Sequence, residues 1–271
     1  MQNLQAASIL SALMLSAACG GGGTDVSDTV TSGTNERPSE NISTDNSFQT
    51  SVDTSTNAVT QDVECSYTYD LYNDSASVDM QSWARWTCDG TERTLTANGI
   101  PDHPVGTFPN SGNPNSISTQ SVSAAYTLNP EKTSTSTTLG GPRGVTGYIL
   151  NGVKIDAGTA GTCSDNGTSC AMAPPMQGNW SIEALGQTSF NFGDDANHAH
   201  VQPTGAYHYH GIPEGFVSKL NKGVAMTHIG WAADGFPIYA RYGYSDAMDT
   251  NSEVVTIQSS YQLKTTPEPN R

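Results

Sequence analysis

Five of the six histidines in this 271-residue chain fall between His198 and His228, and four of them form two His-x-His pairs, His198/His200 and His208/His210, in the run NHAHVQPTGAYHYHG. Imidazole is the commonest metal ligand and titrates near neutral pH, so chemistry is expected in this stretch. In an extended strand residues i and i+2 share a face, about 6.6–7 Å apart along the chain. His208 and His210 then lie on one face, with Tyr207 and Tyr209 on the other. Metal–nitrogen bonds of about 2.0–2.1 Å let two such rings reach one cation. His198 and His200 follow the same logic if their segment is extended, and Pro203 and Gly205 lie where the chain could turn to make the pairs face each other.

The expected site is therefore a three- or four-histidine metal centre of His200, His208 and His210, with His198 or Asp234 as a fourth ligand and His228 as a further candidate. Asp194, Asp195 and Asp234 could each complete a shell or accept the second imidazole N–H and set a ligand's tautomer. Copper is favoured over zinc, because copper(II) heads the affinity order for nitrogen sites and thioethers suit copper(I). Met172, Met176 and Met226 are the methionines in question, although methionine more often fills a core. The competing readings are a buried Tyr/His hydrogen-bond network and metal-free acid–base chemistry by His and Asp. His103 is expected to be a loop residue.

The elements that must position these rings read as mainly β, a single sandwich-like or irregular β domain with long loops and one or two short helices. Short alternating runs bounded by Gly, Pro, Asn and Asp recur from Cys65 onward. The segments CSYTY (Cys65 to Tyr69) and WARWTC (Trp83 to Cys88) are strand-like. Asn151-Gly152, between Tyr148-Ile149-Leu150 and Val153-Lys154-Ile155, is the strongest hairpin signal. An Asp234-Gly235 turn leads into another strand from Phe236 to Tyr242, and a short helix is expected to start near Asn179 with Trp180, Ile182 and Leu185 as its apolar patch.

Residues 1–19 carry an apolar run too short to span a bilayer as a finished helix, followed by small residues and a cysteine, as in an export signal. The segment Leu15 to Cys19 resembles a bacterial lipobox, which would make Cys19 a lipid anchor and the protein an envelope lipoprotein, periplasmic or surface-exposed. Residues 20–61 are Ser, Thr, Asn, Asp and Gly with little to bury, a disordered tether. Residues 62–271 form the folded domain. In an exported chain the remaining cysteines, Cys65, Cys88, Cys163 and Cys170, are an even set that favours disulfides, with local pairs Cys65–Cys88 and Cys163–Cys170 preferred among three possible connectivities. No C-x-x-C occurs, and spacings of 23 and 7 do not suit a zinc ribbon.

A formal charge of -15 argues against nucleic acid or anionic lipid as a partner, because phosphate binding needs a positive footprint. The expected partners are a metal ion or small ligand, with membrane contact only through the lipid anchor. The motifs G-x-S-x-G, H-E-x-x-H and the P-loop are all missing, so an enzyme reading lacks a signature.

The run from His200 to His210, HVQPTGAYHYH, followed by GWAADGFPIY from Gly230 to Tyr239, closely resembles the YHYH-domain family, named for that tetrapeptide. Asn98-Gly99-Ile100-Pro101-Asp102-His103 and Asn151-Gly152-Val153 are similar to that family's earlier landmarks, so the resemblance spans about Ala97 to Leu263. Carried over, His200, Tyr207, His208, Tyr209, His210, Asp234 and Gly235 match the pattern, whereas His198 is an addition of this chain and His228 is not placed by the resemblance. Many members continue beyond the section that begins here at Ser260, which implies a shortened domain. The family implies exported bacterial and some eukaryotic proteins without a general biochemical activity. Three functions follow as expectations: a tethered metal-binding protein, a hydrolase using metal-activated water or a His/Asp base, and a surface ligand-binding or adhesive module with structural histidines.

Overall fold

Alternation of buried and exposed side chains builds the first sheet. A computed structural model describes residues 65–135, 144–156, 158, 161–164, 169–171, 180–182, 184–185 and 191–260. In it β1 (Thr68–Asn73), β2 (Met80–Cys88), β3 (Glu92–Ala97) and β4 (Val122–Thr127) form an antiparallel meander. Ser82, Ala84 and Trp86 of β2 and Arg93, Leu95 and Ala97 of β3 are buried at every second position, the period of a half-buried strand. The first strand begins at Thr68 rather than Cys65, but Cys65 is still disulfide-bonded to Cys88 and clamps the start of this pair to the end of β2.

The Asn151-Gly152 signal forms the expected hairpin between β5 (Val145–Ile149) and β6 (Lys154–Asp156). Gly152 has φ +75°, and a Cβ there would collide with the Ala97 methyl of the first sheet. Glycine is required both by the turn and by that close approach. The hairpin tip is also hydrogen-bonded to the meander: Trp86 Nε1 donates to Leu150 O at 3.0 Å and Tyr69 Oη to Asn151 O at 2.7 Å.

A small sheet follows, with β7 (Thr162–Cys163) central between β8 (Cys170–Ala171) and β9 (Trp180–Ser181), and the Cys163–Cys170 disulfide joins β7 to β8. The helix expected to start near Asn179 is not what Trp180 and Ser181 form; they pair with β7 as a strand. Residue 179 lies outside the described residues. Trp180 and Ile182 are two apart, the period of a strand and not of a helix, and β7 offers a hydrogen-bonding edge.

Beyond it, β10 (Ala199–Val201) and β11 (Tyr207–Tyr209) precede the helix α1 (Glu214–Leu220), then β12 (Thr227–Ala232) and β13 (Pro237–Ala240). The second main sheet has the order β10-β11-β6-β5-β12-β13. The β12–β13 hairpin turns at Asp234-Gly235, where Gly235 has φ +90°, and a two-stranded ribbon of β14 (Tyr242–Tyr244) and β15 (Val254–Thr256) completes the fold. The strand expected from Phe236 to Tyr242 is thus divided, ending at Ala240 before a new pairing starts at Tyr242.

One apolar cluster unites residues of both main sheets, including Trp86 and Leu95 from the meander and Ile149, Val153, Tyr209 and Trp231 from the second sheet. The fold is mainly β, with several sheets, two disulfides and, among the described residues, one short helix. Structural disulfides are typical of oxidising compartments. No helix of the described residues is long and apolar enough to cross a membrane. The expected signal segment with Cys19, and the tether, lie outside the described residues.

Candidate metal centre

The turn at residues 202–205 folds β10 back on β11, with Gly205 at φ +82° and its N–H donating to Gln202 O at 2.8 Å. The antiparallel register sets His200 directly opposite His208. On its other side β11 runs parallel to β6, with His208 opposite Lys154. Continuing that register brings Asp156 alongside His210. Period-2 alternation then divides the Tyr-His-Tyr-His run: Tyr207 and Tyr209 enter the core while the histidines occupy the other face.

His200, His208 and His210 are all buried and offer ring nitrogens that lie within 4.8 Å of one another. Their ring centroids are 4.5–4.8 Å apart. Nδ1 of His200 is 2.5 Å from Asp194 Oδ1, and Nδ1 of His208 is 3.2 Å from Ala206 O. An oxygen acceptor at Nδ1 places the proton there and leaves Nε2 as a lone pair. His210 makes its own bond to the Asp156 main chain, and its Nε2 stands 3.0 Å from His208 Nε2. At this distance either one Nε2–H donates to the other nitrogen or a cation lies between two lone pairs. Donors about 2.0–2.1 Å from one metal are separated by about 2.9–3.4 Å for bond angles near 90–110°.

Burial, then the neighbouring His210 and His200, holds the His208 pKa well below its ordinary 6.5. Burial likewise pushes His210 down to about 3. His208 and His210 are therefore neutral at physiological pH, the ligating form. Phe192 stacks on His200 at 5.6 Å and 13°, fixing its plane.

Asp156 lies beside the rings and was not among the carboxylates anticipated from sequence. Its side chain is 1 % exposed, and Oδ2 accepts from Lys154 Nζ at 2.9 Å and Gln202 Nε2 at 2.7 Å while lying 3.7 Å from His208 Nε2. Burial raises its pKa, opposed chiefly by Lys154. A strand periodicity of two from Lys154, itself opposite His208, is the only local signal for it; the pairing of β6 with β11 cannot be read from either segment.

The other anticipated residues fall elsewhere. His198 has φ +55°, so the extended backbone that would align it with His200 is broken, and its Nδ1 is bonded to Ile212 O at 2.8 Å. His228 is on β12, separated from β11 by two intervening strands, and packs between Trp231 and Tyr239. Asp234 is exposed in the β12–β13 turn. Among the carboxylates near the first pair, Asp194 bonds His200 as described, whereas Asp195 accepts from Tyr207 Oη at 2.8 Å. His103 lies in a loop but is buried, with Nε2 2.6 Å from Tyr209 Oη. Met226 is 38 % exposed; Met172 and Met176 lie outside the described residues.

No characterised protein and no solved structure shows significant similarity to the chain. The family model described as YHYH protein matches residues 123–271, more than half the chain and all of the β10–β11 face. The tetrapeptide that divides into a tyrosine face and a histidine face is thus the signature of a family, and this chain belongs to the YHYH protein family.

Proposed function

We propose that the protein is an exported member of the YHYH family that binds one transition-metal ion through Nε2 of His200, His208 and His210. The observation that carries this reading is the convergence of the three buried rings, with Nε2 of His208 and Nε2 of His210 3.0 Å apart and His200 beside them. Three buried imidazoles suit copper(II) first and zinc next by the order of affinities at nitrogen donors. Asp194 acts as the outer partner that orients His200. Cys19 carries a lipid anchor and residues 20–61 tether the domain at the envelope.

A second reading, metal-assisted hydrolysis, is favoured by one fact: three protein donors is the number found in catalytic zinc sites that keep a position for water. No nucleophile is assigned. The test is calorimetric titration of copper(II) and zinc(II) into untagged protein, with competing chelator. One equivalent bound, copper more tightly than zinc, is expected. Failure to bind either ion stoichiometrically removes both readings.

A further inference from the structure

The three imidazoles account for their own hydrogen bonds, but the carboxylate beside them does not. Asp156 is almost wholly inaccessible, and while Oδ2 is held by Lys154 and Gln202, Oδ1 is buried without a hydrogen-bond partner among the described residues. A carboxylate oxygen so placed is costly to desolvate unless a donor or cation meets it. Oδ2 of the same carboxylate lies 3.7 Å from His208 Nε2, slightly more than the about 3.3–3.4 Å between two donors of a tetrahedral shell, so the group stands at the edge of the three-histidine cluster. We infer that Asp156 is the fourth metal ligand, closing a three-histidine, one-carboxylate site. This rests on the histidine reading above.

Two features make the assignment economical. Lys154 and Gln202 grip Oδ2 from one side, and they also bond each other at 2.9 Å, so the carboxylate is anchored while its second oxygen is uncommitted. The His210 ring bonds the Asp156 main chain, so the ligand strand β6 and the histidine strand β11 are coupled at that residue. The consequence is a specificity: an oxygen donor disfavours copper(I) and suits divalent ions. A shell closed by four protein donors also leaves no position for an activated water, which favours holding the metal over hydrolysis.

Cobalt(II) is the probe, because its visible absorption reports coordination number and donor type. Wild-type protein should give the intense bands of four-coordinate cobalt. Asp156→Asn should weaken cobalt binding by at least about 10-fold and change those bands, since outer partners alone cost about 10–100-fold. Asp156→Cys should add a thiolate-to-cobalt charge-transfer band, and this arm decides the matter if the asparagine variant does not fold. An Asp156→Asn spectrum identical to wild type, or an Asp156→Cys spectrum without the new band, overturns the assignment. If the wild-type protein takes up no cobalt at all, it is the histidine reading that fails.

Discussion

Two buried histidine environments in this protein differ in one respect that matters. On the β10–β11 face each ring is paired with an oxygen or main-chain partner on one side and turns its other nitrogen toward a neighbouring ring. On β12, His228 is packed at 4.5 Å from Trp231 and 5.6 Å from Tyr239, and its Nε2 is buried with no partner among the described residues. Arg93 lies 3.3 Å over the nearer of the two, the Trp231 ring. Both environments exclude water and both lower the imidazole pKa. Burial of a histidine is therefore not what distinguishes the candidate metal centre; the convergence of several ring nitrogens is.

The largest contrast should come from deleting one ring in each place. His208→Ala is expected to weaken copper(II) or zinc(II) binding at least about 1,000-fold, because it removes a direct donor where loss of an outer partner already costs about 10–100-fold. His228→Ala should leave the metal affinity unchanged within the error of the same titration. Equal losses in the two variants would erase the distinction between the environments.

Asp194→Asn sharpens the comparison from the other direction. The amide could donate to His200 and favour the wrong tautomer, so metal affinity should fall about 10–100-fold while the apo protein melts close to wild type. Unaltered affinity would show that the Asp194 contact does not orient the ring.

The smallest effect concerns acid stability of the metal-free protein. Burial pushes His228 down from 6.5 to about 4, so between those values the unfolded chain binds a proton that the folded chain does not. Its contribution is complete above pH 6.5 and is lost as pH falls through that window. His208 and His210, lowered in the same direction, add to the loss. His228→Leu keeps an apolar side chain between Trp231 and Tyr239 and removes the titration. It should flatten the fall in unfolding free energy between pH 6.5 and pH 5 by about 1–2 kcal/mol. Denaturant unfolding at a series of pH values measures it, and parallel curves for the two proteins would contradict it.

How far the sequence discloses all this depends on whether a signal is local. Asn151-Gly152 and Asp234-Gly235 announce their hairpins because left-handed backbone conformations favour those residues. The His208/His210 pairing on one face follows from strand periodicity alone. His198 fails the same periodicity because its backbone turns left-handed at φ +55° just before β10 begins, and nothing in Asn197-His198-Ala199 marks that break. The helix α1 escaped notice since it has only seven residues and one buried side chain, Phe216, although Glu214 in its first turn and Lys219 in its last suit the helix dipole. Asp156 was beyond reach for a different reason. Its place beside the rings depends on β6 pairing with β11, two segments about 50 residues apart, and a parallel pairing leaves no turn signature to read.

The central claim is that one ion is shared by three particular nitrogens. Crystals of the metal-loaded protein, measured on both sides of the metal absorption edge, test it most directly. A single anomalous peak about 2.0–2.2 Å from Nε2 of His200, His208 and His210 is predicted. A peak centred on His198, His228 or Asp234, or a fully loaded protein with no peak among those three rings, would contradict it.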